Sequence, residues 1–368
     1  MSKTPLPLDP TWITAHENPV KRTLKQWREH SRVPPVLLLT GPRGVGKREM
    51  AYWIAQTLLC ERAGFKKPAE DEGGLFGGAT PVAPSVDPAS EVGPCRSCAA
   101  CERAESGNFL DFKEIAPEKD SATLKIDQFR ELKESQGYAG FAGSYRIFMI
   151  PEAERMTNQA ANSLLKILEE PPSGWVFLLT AADPSLLPST VISRCQIMRL
   201  RPLQPETIER LLSTASVPAE RAELAVRLAS GSYARALDFC RDEPWEKRGA
   251  IFQFLSKPQS QLSALVDWSA QSNENFTLLL DQFEPILLDL IRAAQAPAGA
   301  HVFANVDGAR ALAQHFETSA KKLGSRERAL AFWMGRSERL FKLRREMLTP
   351  LNSKLLAQDF LIPWLEAV

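Results

Sequence analysis

TGPRGVGKREM, residues 40–50, falls one residue short of a phosphate-binding loop. The pattern G-x-x-x-x-G-K-[ST] is met at Gly41, Gly46 and Lys47, with Gly44 between them, but position 48 is arginine. Glycines here let backbone N–H groups close on phosphate oxygens at a helix N-terminus, and the lysine adds a point charge. A serine or threonine at 48 would offer Mg²⁺ a hydroxyl. Arginine has donors only, and its charge repels the ion. The loop has the chemistry to hold phosphates, which would be those of ATP or ADP, yet is expected to organise poorly the metal of phosphoryl transfer.

Outward from the loop, VLLLT (36–40) reads as a strand and REMAYWIAQTLLC (48–60) as a helix, the context a phosphate loop requires. Short, β-rich apolar runs recur at FKEIA (112–116), YRIFMIP (145–151) and WVFLLTA (175–181). Helical segments lie between them, IDQFRELKES (126–135) and NQAANSLLKILEE (158–170). This alternation predicts an α/β core with a doubly wound parallel sheet. An ATPase needs an acidic pair at the end of a second strand. Here IFMI runs into Pro151-Glu152-Ala153-Glu154, with proline where a Mg²⁺-linked aspartate belongs. Glu152 remains as a candidate to polarise water; equally, Glu152 and Glu154 read as the start of a solvated helix. After about residue 203 strand signals stop. PETIERLLSTA, PAERAELAVRLAS and SYARALDFC read as short helices, and the chain beyond 245 as all helix. Leu279, Phe283, Ile286 and Leu290, and again Leu340, Leu343 and Met347, recur at helical spacing and are expected to pack a bundle.

Six cysteines occur in a chain whose N-terminus, MSKTPLPLDPTW, lacks the apolar core of an export signal. Disulfides are not expected there, and the spacing points to metal. Cys95, Cys98 and Cys101 fall at i, i+3 and i+6, and Cys60 closes the helix after the phosphate loop. Four thiolates make the soft tetrahedral set that suits structural zinc and leave no open position for chemistry. Residues 63–94, within this 60–101 module, are dense in Gly, Pro, Ala and Ser and read as a flexible insertion. His16, His30, His301 and His315 form no ligand pattern.

The 368 residues are enough for two or three domains, and 44% are apolar, which supplies sizeable cores. Lys+Arg 45 against Asp+Glu 44 gives a formal net charge of +1, so no global field drives the chain onto nucleic acid or membrane. With no apolar run near the roughly 18 residues of a spanning helix, a cytoplasmic location is expected.

TGPRGVGKREMA, the four-cysteine module, IPEAERMTNQAANSLLKILEEPP and VISRC occur in one order. Together they resemble the clamp-loader AAA+ family of bacterial DNA polymerase III, and within it the delta-prime branch. The likeness covers roughly residues 15–240, with a weaker helical echo to the end. It implies an AAA+ core over 1–202, a small helical lid over 203–246 and a helical collar over 247–368. The collar would join a pentameric ring with gamma/tau and delta subunits, which loads a sliding clamp onto primed DNA. The resemblance also gives Arg194, in Ser193-Arg194-Cys195, the role of an arginine finger reaching the γ-phosphate of ATP held by a neighbour. Thr180 becomes the first sensor position. GSYARAL (231–237) becomes the second sensor segment, with Ala234 where active members carry arginine and Arg235 one place over. The cysteine spacing departs from the family's, with 34 residues between Cys60 and Cys95.

Three functions follow. The first is a non-hydrolysing subunit of the polymerase holoenzyme with a degenerate nucleotide site, acting as scaffold and lending Arg194. The second is a working AAA+ ATPase, favoured by Lys47, Glu152 and Thr180 and opposed by Arg48, Pro151 and Ala234. The third is direct DNA contact by residues 321–345, which hold nine Lys/Arg and two acidic residues.

Overall fold

The strand-like runs form one parallel sheet in a computed structural model of the chain, which describes residues 10–65, 92–106, 111–117, 123–129, 145–215, 217–296, 303–347 and 352–367. The insertion expected over 63–94 and the helix expected over 126–135 lie largely outside these residues. The chain divides into two compact units, Met1–Leu203 and Gln204–Val368.

In the first unit, helix α1 (Pro10–Glu29) precedes strand β1 (Val36–Thr40), the glycine loop and helix α2 (Lys47–Leu59). Helix α3 (Ala99–Glu105), strands β2 (Phe112–Glu114) and β3 (Arg146–Ile150), and helix α4 (Asn158–Glu169) follow. Strand β4 (Trp175–Ala181), the short helix α5 (Ser189–Ile192) and strand β5 (Gln196–Arg199) complete it. The sheet order is β2-β3-β4-β1-β5, all pairs parallel. Successive side chains of a strand point to opposite faces, and both faces here are buried. Leu37, Leu39, Ile147, Met149, Val176 and Leu178 pack with α1 and α2. Val36, Leu38, Phe148, Ile150, Phe177 and Leu179 pack with α4. That two-sided burial is why these strands read as unbroken apolar runs. The register Thr40↔Ala181 and Ile150↔Leu179 brings the C-terminal ends of β1, β4 and β3 side by side. In parallel sheets, ligand sites gather at such ends.

The second unit is helical. It begins with α6 (Pro205–Thr214), α7 (Ala219–Leu228) and α8 (Tyr233–Cys240), followed by α9 (Asp242–Ser256), α10 (Pro258–Ser269) and α11 (Asn273–Gln295). Helices α12 (Ala309–Leu323), α13 (Arg326–Glu346) and α14 (Ser353–Leu361) close it. The periodic stripes are its core: Leu279, Phe283, Ile286, Leu290, Leu340 and Leu343 are buried together with Trp333 and Trp364. No helix among the described residues is long and apolar enough to cross a membrane.

Arg235 has a structural task in this unit. Pro285 lies inside α11 and has no N–H, so the Asp281 carbonyl, four residues earlier, loses its helical donor. Arg235, on α8, donates from Nη2 to that carbonyl at 3.2 Å. Its Nη1 lies 3.0 Å from the Glu284 carboxylate, and Arg344 on α13 pairs with both Asp281 and Glu284. Two arginines and two carboxylates thus neutralise one another in a largely buried cluster. Arg235→Ala leaves carboxylate charge and a carbonyl under-satisfied, and costs about 3–5 kcal/mol of unfolding free energy, measurable by urea denaturation of the purified chain.

Candidate functional site

The glycine loop turns on backbone conformations that side chains resist. Gly41 has φ 147°, and a Cβ there would stand 2.4 Å from the Leu200 carbonyl oxygen. Gly46, at φ 91°, turns the chain into α2. Helix α2 then presents its N-terminal N–H groups at the ends of β1, β3 and β4, an arrangement suited to an anion. Lys47 folds back across the loop and donates to the carbonyls of Gly41 and Pro42, each at 2.8 Å. Burial lowers the ammonium's pKa, against the opposing pull of the Glu154 and Glu152 carboxylates. His16, from α1, is buried behind the loop and donates from Nε2 to the Val45 carbonyl at 2.7 Å. Burial holds its imidazole below the usual range, consistent with a neutral donor.

Arg48 is held between β2 and α2. Its guanidinium meets Glu114 of β2 at 2.7 Å and lies 5.8 Å from the centre of the Tyr52 ring. The Tyr52 hydroxyl donates to the same carboxylate. Glu114 shares the sheet face of Phe112, under α2, where a charge requires a partner, and Arg48 and Tyr52 sit one helical turn apart to supply it.

Thr180 stands on the middle strand of the three and is buried. Its Oγ1 accepts the backbone N–H of Glu152 at 3.0 Å, which ties the end of β4 to the turn after β3. That turn is strained: Glu152 has φ 48° and ψ 53°, the left-handed region. The exposed Glu152 carboxylate pairs with Arg155 at 2.9 Å. Glu154 is the more enclosed acid. Its Oε1 accepts the N–H of Ala182 at 2.7 Å, and its Oε2 is buried with no hydrogen-bond partner among the described residues. Burial raises its carboxyl above the usual range, opposed by the hydrogen bond from Ala182 and by Lys47. The structure thus brings Gly41, Gly44, Gly46, Lys47, Glu152 and Thr180 to one edge of the sheet. It adds Glu114, which no spacing rule in the sequence singles out. It places His16 and Glu154 there too, although His16 falls in no ligand pattern of the sequence and Glu154 reads with Glu152 as the start of a solvated helix.

Arg194 lies elsewhere on this unit, just after α5. Its Nη1 donates to the Thr190 carbonyl at 2.9 Å and its Nη2 to Glu169 at 2.7 Å. Cys195 is a different kind of residue: its thiol donates to the Val191 carbonyl, and burial pushes its pKa up to about 11.

The four cysteines converge. The Sγ atoms of Cys60, Cys95, Cys98 and Cys101 all lie within 4.8 Å of one another, with Cys60–Cys98 at 3.9 Å and Cys95–Cys101 at 4.0 Å. A tetrahedron of sulfurs about 2.3 Å from zinc has edges of about 3.8 Å. The Cys95 N–H donates to Cys60 Sγ at 3.3 Å and the Ser97 hydroxyl to Cys95 Sγ at 3.6 Å, contacts that favour thiolate. Among the described residues no other group of His, Cys, Asp and Glu gathers this way.

The basic run 321–345 is partly committed within the chain. Arg326 donates to the carbonyls of Ala293 and Ala296, Arg339 pairs with Glu346 and Asp359, and Arg344 belongs to the Asp281–Glu284 cluster.

A family profile described as DNA polymerase III, delta subunit, matches residues 84–204, a span that holds three of the four clustered cysteines, Thr180 and Arg194 but not the glycine loop. The DNA polymerase III subunit delta' of Escherichia coli is 31% identical over 274 residues, 74% of this chain and 73% of that protein. The subunit of the same name from Bacillus subtilis is 32% identical over 226 residues, 61% of this chain and 60% of its own length. Among solved structures, a DNA polymerase III gamma subunit-related protein of Thermotoga maritima aligns over 94% of this chain and 98% of its own, at 17% identity and a TM-score of 0.39.

Proposed function

Because the chain belongs to the family of DNA polymerase III delta-prime subunits, we propose that it serves in a clamp-loading ring without cleaving ATP itself, and that it lends Arg194 to a neighbour's nucleotide. The observation that carries this is Arg48. At the position where a hydroxyl would reach Mg²⁺, the chain places a guanidinium and holds it on Glu114 and Tyr52. Pro151 removes the second metal-linked oxygen at the end of β3. Arg235, beside the second sensor position, is occupied by α11. The cradle of Gly41, Gly44, Gly46 and Lys47 keeps the chemistry to hold ATP or ADP phosphates, with Thr180 and Glu152 at its edge. Phosphate binding and metal-assisted cleavage are separable properties, and only the second needs the missing ligands.

The cysteine cluster takes zinc in this proposal. Cys60, Cys95, Cys98 and Cys101 supply four thiolates, the metal carries no reaction, and its effect is to tie α3 to the end of α2. The partners are gamma/tau and delta subunits in a ring, together with the sliding clamp and the primed DNA on which the ring acts.

ATP turnover by the purified chain, set beside turnover by the reconstituted ring, tests the proposal. The lone chain is expected to show none above background, and the ring Mg²⁺-dependent hydrolysis. Restoring one hydroxyl does not reverse this. Arg48→Thr leaves Pro151 in place and strips Glu114 of its cation, so the variant alone is expected to stay inactive in the same assay. The second reading is a working ATPase, and the position of Glu154 favours it: a half-buried carboxylate whose charge acts on Lys47. Mg²⁺-dependent turnover by the isolated chain, abolished by Lys47→Ala, would establish that reading over the first.

A further inference from the structure

The contacts of Arg194 carry one step more. Its guanidinium is held at two points, by the Thr190 carbonyl one turn back and by Glu169 from another element of the same unit. Glu169 is the last residue of α4, and Pro171 and Pro172 follow the helix. Unsatisfied carbonyls make a helix C-terminus a poor place for a negative charge. A carboxylate there works against its own helix unless a cation offsets it, and Arg194 is that cation. The two side chains are 34% and 52% exposed, so the pair is open to an incoming group. Among the described residues two of the five guanidinium N–H donors are engaged, which fixes the plane of the fork and leaves the others for another acceptor.

We infer that Glu169 is a positioning residue for Arg194: with the Thr190 carbonyl it orders the guanidinium in the free chain, so that the fork meets a neighbour's phosphate already oriented. A free arginine carries substantial rotamer entropy, and ordering it beforehand removes that cost from the encounter. Misplacement of a catalytic group by about 1 Å can cost about 100-fold in rate. The inference rests on the proposed trans role of Arg194 and names the residue that prepares it.

The experiment uses the reconstituted ring with ATP, measuring kcat and KM separately for Glu169→Ala, Glu169→Gln, Arg194→Ala and the Glu169→Ala/Arg194→Ala pair. Ring assembly is followed by gel filtration. Glu169→Ala is expected to lower kcat about tenfold with KM for ATP unchanged, because the nucleotide sits in another subunit. Glu169→Gln keeps one carbonyl acceptor for Nη2 and recovers most of that loss. The double variant falls no further than Arg194→Ala. If Arg194→Ala collapses turnover while Glu169→Ala keeps or raises it, Glu169 is a bystander or a restraint: the positioning inference is overturned and the trans role of Arg194 stands. If Arg194→Ala itself leaves turnover intact, the trans role fails and the inference fails with it. A loss in Glu169→Ala that glutamine does not recover, or that appears in KM, also overturns positioning.

Discussion

If Arg194 is the proposed trans arginine, Arg194→Ala is expected to lower ATP hydrolysis at the one site it serves in the assembled ring by about 10³- to 10⁵-fold, the range a trans arginine supplies to phosphoryl transfer. Clamp loading falls with it, while the ring still forms. The magnitude follows from what the transition state asks for. Charge spreads over the equatorial oxygens of the transferring phosphoryl group, and a planar, permanently charged fork meets two of them at once. Arg194→Lys keeps the charge and loses the fork, so it recovers only part of the rate. Folding does not confound the measurement. The pair with Glu169 is exposed on both sides, and such pairs contribute about 0–1 kcal/mol. Melting of the lone variant therefore stays close to that of the parent chain, and lost turnover is read as lost chemistry. Full hydrolysis in the Arg194→Ala ring, with normal assembly, removes this arginine from the mechanism.

The parts legible in the sequence are those fixed by local pattern. Runs such as VLLLT and WVFLLTA announced strands buried on both faces, because a parallel sheet covered on each side admits no polar alternation. The glycine loop was readable because positive backbone angles and close backbone approach leave few residues to choose from. The cysteine cluster was readable because thiols at i, i+3 and i+6 have few other reasons to recur. What stayed hidden depends on pairings that only the tertiary fold creates. Arg48 announces a missing hydroxyl, but its tie to Glu114 spans a stretch of chain whose register no local rule sets. Glu152 and Glu154 are two residues apart and look equivalent in sequence. The left-handed turn at Glu152 makes them unlike, with one carboxylate on Arg155 in solvent and the other enclosed against the Ala182 N–H. Arg235 reads as a displaced sensor until Pro285 is seen to leave a carbonyl that it fills. In each case the sequence names the residue and packing decides where its charge goes.

Removing the proposed zinc is expected to lower stability by an amount comparable to the loss of Arg235. In the proposed site the metal would bridge Cys60 and Cys95 and close, with the chain between them, a ring of about 35 residues. Closing a ring of that size restricts the unfolded chain by about 4 kcal/mol when counted as a covalent cross-link. For a unit of about 200 residues this corresponds to a fall in melting temperature of about 8–16 °C. The loss starts locally. Helix α3 has 7 residues, too few to persist alone, and its buried Cys101 packs in the small cluster with Cys60, Ala63 and Cys98. Without the metal this segment opens first and becomes accessible to protease, while the sheet, whose two cores do not include α3, holds until higher temperature. The purified chain is expected to carry about one zinc, released by a chelator under mild denaturation. Cys98→Ser is expected to bring the stoichiometry near zero and to reproduce the melting shift. A chain that purifies without zinc and melts unchanged in Cys98→Ser would show that four thiols gather here without a metal to hold them.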